Sequence, residues 1–170
     1  LWTWNTFVVA AISTAISLVF GVMLAYPLAR MRFAGAALIS FGVAATYLVP
    51  QPLLFIPLAD IITQMRLNDT LTAVILTYPT LLIPFCAWLL MGYFRSVPHE
   101  LEDAARIDGA TRLQTMFKVF LPLCVPGFIS AGIFAFTLAQ NEFLYALIFL
   151  TTTDVRTAVS YTHLTLPTKA

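Results

Sequence analysis

The sequence predicts an all-α fold: a polytopic bundle of membrane-spanning helices carrying one polar loop. Three observations predict it. Of 170 residues, 60% are apolar and only 10% are charged, against roughly half and about a quarter in an ordinary soluble domain. The charges are clustered, leaving charge-free runs over residues 1–29, 33–59, 70–94 and 119–141. None of these runs shows the two-residue alternation of a half-buried strand. So few charges cannot wet the surface of a soluble chain this long. That excludes a soluble globular enzyme, a disordered chain and a nucleic-acid binder. A net charge of +1 says nothing about partners. The two cysteines, Cys86 and Cys124, lie in apolar runs and form neither a disulfide framework nor a metal-ligand spacing.

Each run is long enough to cross a hydrocarbon core of about 30 Å, which takes roughly 20 helical residues. In lipid, a helix is what satisfies the backbone when no barrel forms. The predicted spans lie near 5–28, 36–58, 71–94 and 121–147. The first is too long and lacks the basic start of a cleaved signal peptide. Trp2 and Trp4 suit an aromatic belt at its outer boundary. The chain opens on Leu1 rather than methionine, so it is expected to be a piece of a longer one. Pro50, Gln51, Pro52 and Pro57 fall late in the second span, and Pro79 and Pro84 interrupt the third. Each proline removes a backbone hydrogen bond. These are either ordinary membrane prolines or hinges for a rocking bundle. Phe41, Phe55, Met91 and Phe134 are expected to pack against lipid or the bundle.

The loop over residues 95–120 holds eight of the seventeen charges. Arg30, Arg32, Arg95, Arg106, Arg112 and Lys118 lie on its side of the membrane, and Arg66 and Arg156 on the other. This bias places the loop in the cytoplasm. Pro98 suits a first helical turn. Glu100, Glu102 and Asp103 follow, at the positive end of the helix dipole. Leu101, Ala104 and Ala105 make a short apolar stripe. Gly109 suits a C′ position with positive φ. Thr111 and Gln114 form a T-x-x-Q capping box for a second helix. There Leu113, Met116, Phe117 and Phe120 recur at helical spacing and are expected to face the bundle. Ala104, Ala105 and Gly109 leave a surface of low relief, either a solvated connection or a site of close approach for a partner.

No chemistry of catalysis is visible. The sequence lacks a phosphate-cradling glycine loop and a metal-binding or nucleophile-elbow motif. His99 is expected at an exposed helix start. Gln140, Asn141 and Glu142 form the polar cluster of the fourth apolar run. An ionisable residue at membrane depth is a functional candidate. Glu142 lies about 30 Å along the helix from Pro122 at ~1.5 Å per residue, near the outer boundary. Glu142 therefore either caps a helix or meets water there, or Gln140, Asn141 and Glu142 together line a translocation path.

The segment ELEDAARIDGATRLQTMFKVFLPL resembles the EAA loop of ABC importer permease subunits. The signature is met by Glu102, Ala104, Ala105, Asp108, Gly109, Ala110, Leu121 and Pro122. The IDGA form is most similar to the carbohydrate-uptake, MalG-like subgroup. YPLARMRFAG, LNDTLTAVIL and NEFLYALIFLTT followed by Arg156–Thr157 are further likenesses. The resemblance covers residues 4–157 and implies a type I importer permease core of six spans, of which these four would be the second to fifth, with both ends missing. It implies that the loop couples to separate ABC ATPase subunits. It also implies a second permease subunit, an extracytoplasmic solute-binding protein, a sugar or polyol solute, a bacterial inner-membrane location and no cofactor. The alternatives are a non-sugar solute such as a polyamine, sulfate or phosphonate, or a secondary carrier or channel.

The family pattern stops after Thr157. Val159–Thr168 matches one reading frame of a transposase-based sequencing adapter, so residues 159–170, with Tyr161, His163 and Lys169, are set aside as translated adapter.

Overall fold

The structure, a computed structural model, describes residues 2–46, 49, 50, 52–142 and 144–150. Gln51, Arg156, Thr157 and the tail 159–170 lie outside the described residues, as does the side chain of Phe55. Every regular element described is helical. Helix α1 (Trp2–Arg30) is followed by α2 (Ala36–Thr46) and α3 (Pro52–Gln64). Then come α4 (Leu71–Thr77) and α5 (Pro79–Ser96). The loop contains α6 (Glu100–Ile107), α7 (Arg112–Thr115), a π-helical turn (Met116–Phe120) and α8 (Leu121–Leu123). Helices α9 (Val125–Asn141) and α10 (Leu144–Phe149) complete the described chain.

Among the described residues, two stretches are long and apolar enough to cross a membrane, α1 and the α4–α5 run Leu71–Ser96. A third is reached only if Arg112–Leu123 and Val125–Asn141, bent by 70°, count as one span. By length and composition, the described helices do not by themselves establish four separate spans. The run predicted over 36–58 divides into α2 and α3, each shorter than a span. Pro50 explains the division, because it disfavours helical backbone in Val49 before it, which is non-helical. Pro79 breaks the third run only slightly: Tyr78 keeps helical backbone and donates its N–H to the Val74 carbonyl at 3.0 Å. The fourth run starts later than 121, because Cys124 leaves helical geometry (φ −90°, ψ 4°) before Pro126.

Two stripes of small residues hold the bundle together. On α1, Ser13, Ser17, Gly21 and Ala25 recur every four residues and are buried. On α9, Gly127, Ala131, Ala135 and Ala139 do the same. Small residues at this spacing let helix backbones approach closely in a membrane, where apolar burial gives helices little reason to associate. Helix α1 packs chiefly on α5, and both pack on α9. A Cβ on Gly21 would lie 2.8 Å from the Cys86 Cβ, and one on Gly127 would lie 2.7 Å from the Tyr93 ring.

The core falls into two clusters. One gathers Val9, Tyr78, Leu82, Ala139, Tyr145 and Phe149. The other lies at the loop end and gathers Tyr26, Leu90, Phe94, Phe120, Cys124 and Ala131. There Phe120 meets Phe94 edge-on at 5.0 Å and Tyr26 at 5.3 Å between ring centroids. Helix α2 buries none of its residues, and Leu38 and Phe41 stand exposed on it.

Candidate functional site: a clamped surface loop

The loop folds as its local chemistry dictates. His99 occupies the N-cap of α6, exposed, so Pro98 lies one residue outside the helix rather than in its first turn. At the other end Gly109 adopts φ +85°. Its N–H bonds the Arg106 carbonyl, and the Ala110 N–H bonds the Ala105 carbonyl, both at 3.0 Å. This paired closure needs a left-handed residue at Gly109, which glycine supplies without a Cβ penalty. Thr111 then caps α7: its hydroxyl accepts the Gln114 N–H, and the Gln114 side chain accepts the Thr111 N–H.

Beyond α7 the expected inward face holds at Phe120 and Met116, which pack in the loop-end core, and is corrected at Leu113 and Phe117. Thr115 and Phe120 are buried, five residues apart, while Leu113 and Phe117 are exposed. The π-helical turn is the cause. Its extra residue moves the inward register from a four-residue to a five-residue step, closed by the Leu121 N–H on the Met116 carbonyl.

Glu102 turns inward from the first turn of α6. Here it is buried, and the Arg30 Nε donates to its Oε1 at 2.6 Å. The same guanidinium donates through Nη1 to the carbonyls of Phe94 (3.2 Å) and Val97 (2.7 Å). Through Nη2 it donates to the Pro98 carbonyl at 3.3 Å. Its carbon sits 5.0 Å from the centroid of the Phe120 ring. The carbonyls from Phe94 to Pro98 include acceptors that the end of α5 leaves without a helical partner, and the cation also suits the negative end of that helix. One side chain thus joins the end of α1, the end of α5, the start of α6 and the π-helical turn. Arg30 counts in the sequence only as a topological charge. The signal that could single it out is its place as the charge that ends α1.

The other signature residues divide by face. Ala104, Asp108 and Gly109 are exposed, and Ala105 and Ala110 are half-buried. Ile107 projects between them, 86% exposed. Glu100 and Asp103 are exposed beside them. Leu121 packs on the loop-end core, and Pro122 is exposed on α8, a different element from α6.

Gln140, Asn141 and Glu142 end α9 at the far side of the bundle. Asn141 is exposed and its Nδ2 donates to the Thr137 carbonyl at 2.8 Å. Glu142 turns inward: its Oε2 accepts the Tyr145 N–H at 2.9 Å, and its carbonyl accepts the Tyr78 hydroxyl at 3.2 Å. It therefore starts α10 and ties that helix to the α4–α5 junction. Among the described residues no three His, Cys, Asp or Glu side chains are placed to hold a metal ion.

Apolar helices joined by small-residue stripes, with a short helical hairpin clamped at one end, define a polytopic membrane subunit. The chain belongs to the family described as binding-protein-dependent transport system inner membrane component, whose sequence pattern matches residues 17–166. That match runs into the tail 159–170. The chain is 43% identical over 157 residues to the sulfoquinovosyl glycerol transport system permease protein SmoH of Agrobacterium fabrum (strain C58 / ATCC 33970), covering 92% of this chain and 55% of the relative. It is 38% identical over 143 residues to the trehalose transport system permease protein SugB of Mycobacterium tuberculosis (strain CDC 1551 / Oshkosh), covering 84% and 52%. The chain thus spans about half the length of these curated relatives. Its fold matches a chain in the crystal structure of a bacterial ABC transporter involved in the import of the acidic polysaccharide alginate. The TM-score is 0.73 at 22% identity, over 99% of this chain and 61% of that one.

Proposed function

We propose that the chain is the core of a permease subunit in an ATP-driven importer for a sugar or related polyol. In this reading an extracytoplasmic binding protein delivers the solute. A second permease subunit completes the path, and separate ATPase subunits bind the loop over residues 95–120 from the cytoplasm. The observation that carries the reading is the clamp. The outer face of α6 is low in relief, at Ala104, Asp108 and Gly109, and Ile107 stands out from it as an apolar anchor. Its inner face is fixed through Glu102 and Arg30 to the ends of α1 and α5. A push on the outer face is therefore passed to two apolar helices rather than absorbed by a slack connection. The sugar class comes from the IDGA form and from the substrates after which the relatives are named.

On the far side, Gln140 and Asn141 are the residues we assign to the solute path, with Glu142 holding the helix junction between them and Tyr78. Uptake assays on Asn141→Ala test this, and unchanged affinity and rate would remove it.

The coupling role is tested with the complete subunit, co-expressed with its partners and placed in proteoliposomes. Gly109→Pro, which cannot take φ +85°, is expected to abolish uptake while the subunit remains in the membrane and ATP hydrolysis continues. Normal uptake would overturn the assignment. Absence of the subunit from the membrane would report lost folding, and Gly109→Ala then replaces it, with a partial loss expected.

A further inference from the structure

A cavity of about 680 Å³ opens between the end of α1 and the loop helices. Its polar wall carries Arg30, Arg32, Arg106 and Arg112 against a single acid, Asp103. These four are nearly half of the chain's nine lysines and arginines. Arg30 is engaged by Glu102, and Arg106 lies 3.9 Å from Asp103 with both side chains well exposed. Such an exposed pair holds weakly. Arg32 and Arg112 form no ion pair among the described residues and are exposed. Two unpaired guanidinium forks thus line a concave space whose one carboxylate, Asp103, is nearest to Arg106. A guanidinium fork matches the oxygens of a phosphate group.

The remaining wall is His99 and a largely apolar set: Tyr26, Pro27, Met31, Leu113 and Met116. Leu113 is 67% exposed at the rim, and Phe117 beyond it is 60% exposed. The cavity lies where the apolar helix α1 comes to its end. A soluble phosphate would neutralise the arginines and leave these side chains in water. A lipid satisfies both walls at once, with its phosphodiester on the arginines and its acyl chains over Met31, Leu113 and Phe117.

We propose that this cavity is a binding site for the headgroup of an anionic phospholipid, held by Arg32 and Arg112. The proposal rests on the loop lying against the membrane, not on the nature of the solute. Basic pockets of this kind on the cytoplasmic side of helix bundles select anionic lipids, each cation contributing roughly a factor of five in binding.

The test uses the complete subunit purified in its transporter complex, in phosphatidylcholine nanodiscs doped with phosphatidylglycerol. Retained lipid is read by native mass spectrometry. The wild type is expected to retain phosphatidylglycerol over phosphatidylcholine. Arg32→Gln/Arg112→Gln is expected to lower that preference by an order of magnitude or more, and Arg32→Lys/Arg112→Lys to keep most of it. Equal preference in wild type and the glutamine pair would overturn the proposal. So would displacement of the lipid by millimolar inorganic phosphate, which would mark a site for a soluble anion. Retention that appears only after the ATPase subunits are stripped would also overturn it, marking the cavity as a protein contact. If the glutamine pair does not assemble, the wild type alone decides: no preference between the two lipids overturns the proposal.

Discussion

Arg30 and Glu102 are each other's reason for being buried. Their side chains are 0% and 5% exposed, and a charge so placed is tolerable only when paired and hydrogen-bonded. Removing one partner strands the other, at a cost of about 3–5 kcal/mol for a buried pair. Glu102→Ala is therefore expected to lower the thermal midpoint of the purified transporter sharply, with Arg30→Ala acting alike. Arg30→Met/Glu102→Leu, which leaves no charge behind, is expected to recover most of the loss. A double variant as unstable as the singles would mean that the carbonyl contacts of Arg30, not its charge partner, carry the stability. This pair was not legible in the sequence. Its members stand 72 residues apart, and local reading assigns one to topology and the other to a helix dipole. The Gly109 turn and the Thr111–Gln114 cap were legible, because backbone closure over five residues depends on those residues alone.

Among the elements, the helix contacts depend on what is missing from their surfaces. Gly21 faces Cys86 at a distance no Cβ can share, while Gly92, on α5, has nothing within 4 Å of its Cβ position. Gly21→Val is expected to force α1 from α5 and reduce the amount of assembled subunit recovered from membranes. Gly92→Ala is expected to be neutral or slightly stabilising, since alanine favours a helix by roughly 1 kcal/mol over glycine. Equal recovery of the two variants would show that close approach at Gly21 is dispensable. Hydrophobicity reveals apolar runs but not which face meets a neighbour, because lipid and bundle are equally apolar. The stripes Ser13–Ala25 and Gly127–Ala139 were readable only as small residues every four positions. The break between α2 and α3 was signalled by Pro50, yet charge-free length alone joined them. The π-helical turn defeated the periodicity at Leu113 and Phe117, since one inserted residue rotates everything before it by about 100°.

For the whole molecule, the two ends of the bundle make opposite predictions under labelling. Both native cysteines are fully buried, so a membrane-impermeant maleimide is expected to leave the unsubstituted chain unlabelled. Ile107→Cys, at the clamped loop, is expected to react only in inside-out vesicles stripped of ATPase subunits, and Asn68→Cys, between α3 and α4, in cells or spheroplasts only. The reverse pattern would invert the proposed orientation while leaving the fold untouched. The same geometry sets an order of events during synthesis. The end of α1 is made first, and the acceptors Phe94, Val97, Pro98 and Glu102 follow 64 to 72 residues later. At about 5–20 residues per second that is a delay of roughly 3–14 s. Through that interval Arg30 has none of these partners, and its charge is free to hold α1 in one orientation while the next helices insert. Once α6 emerges, the same charge is withdrawn from water. In the proposed orientation, the charge that sets the direction of α1 is the one that afterwards fastens the loop.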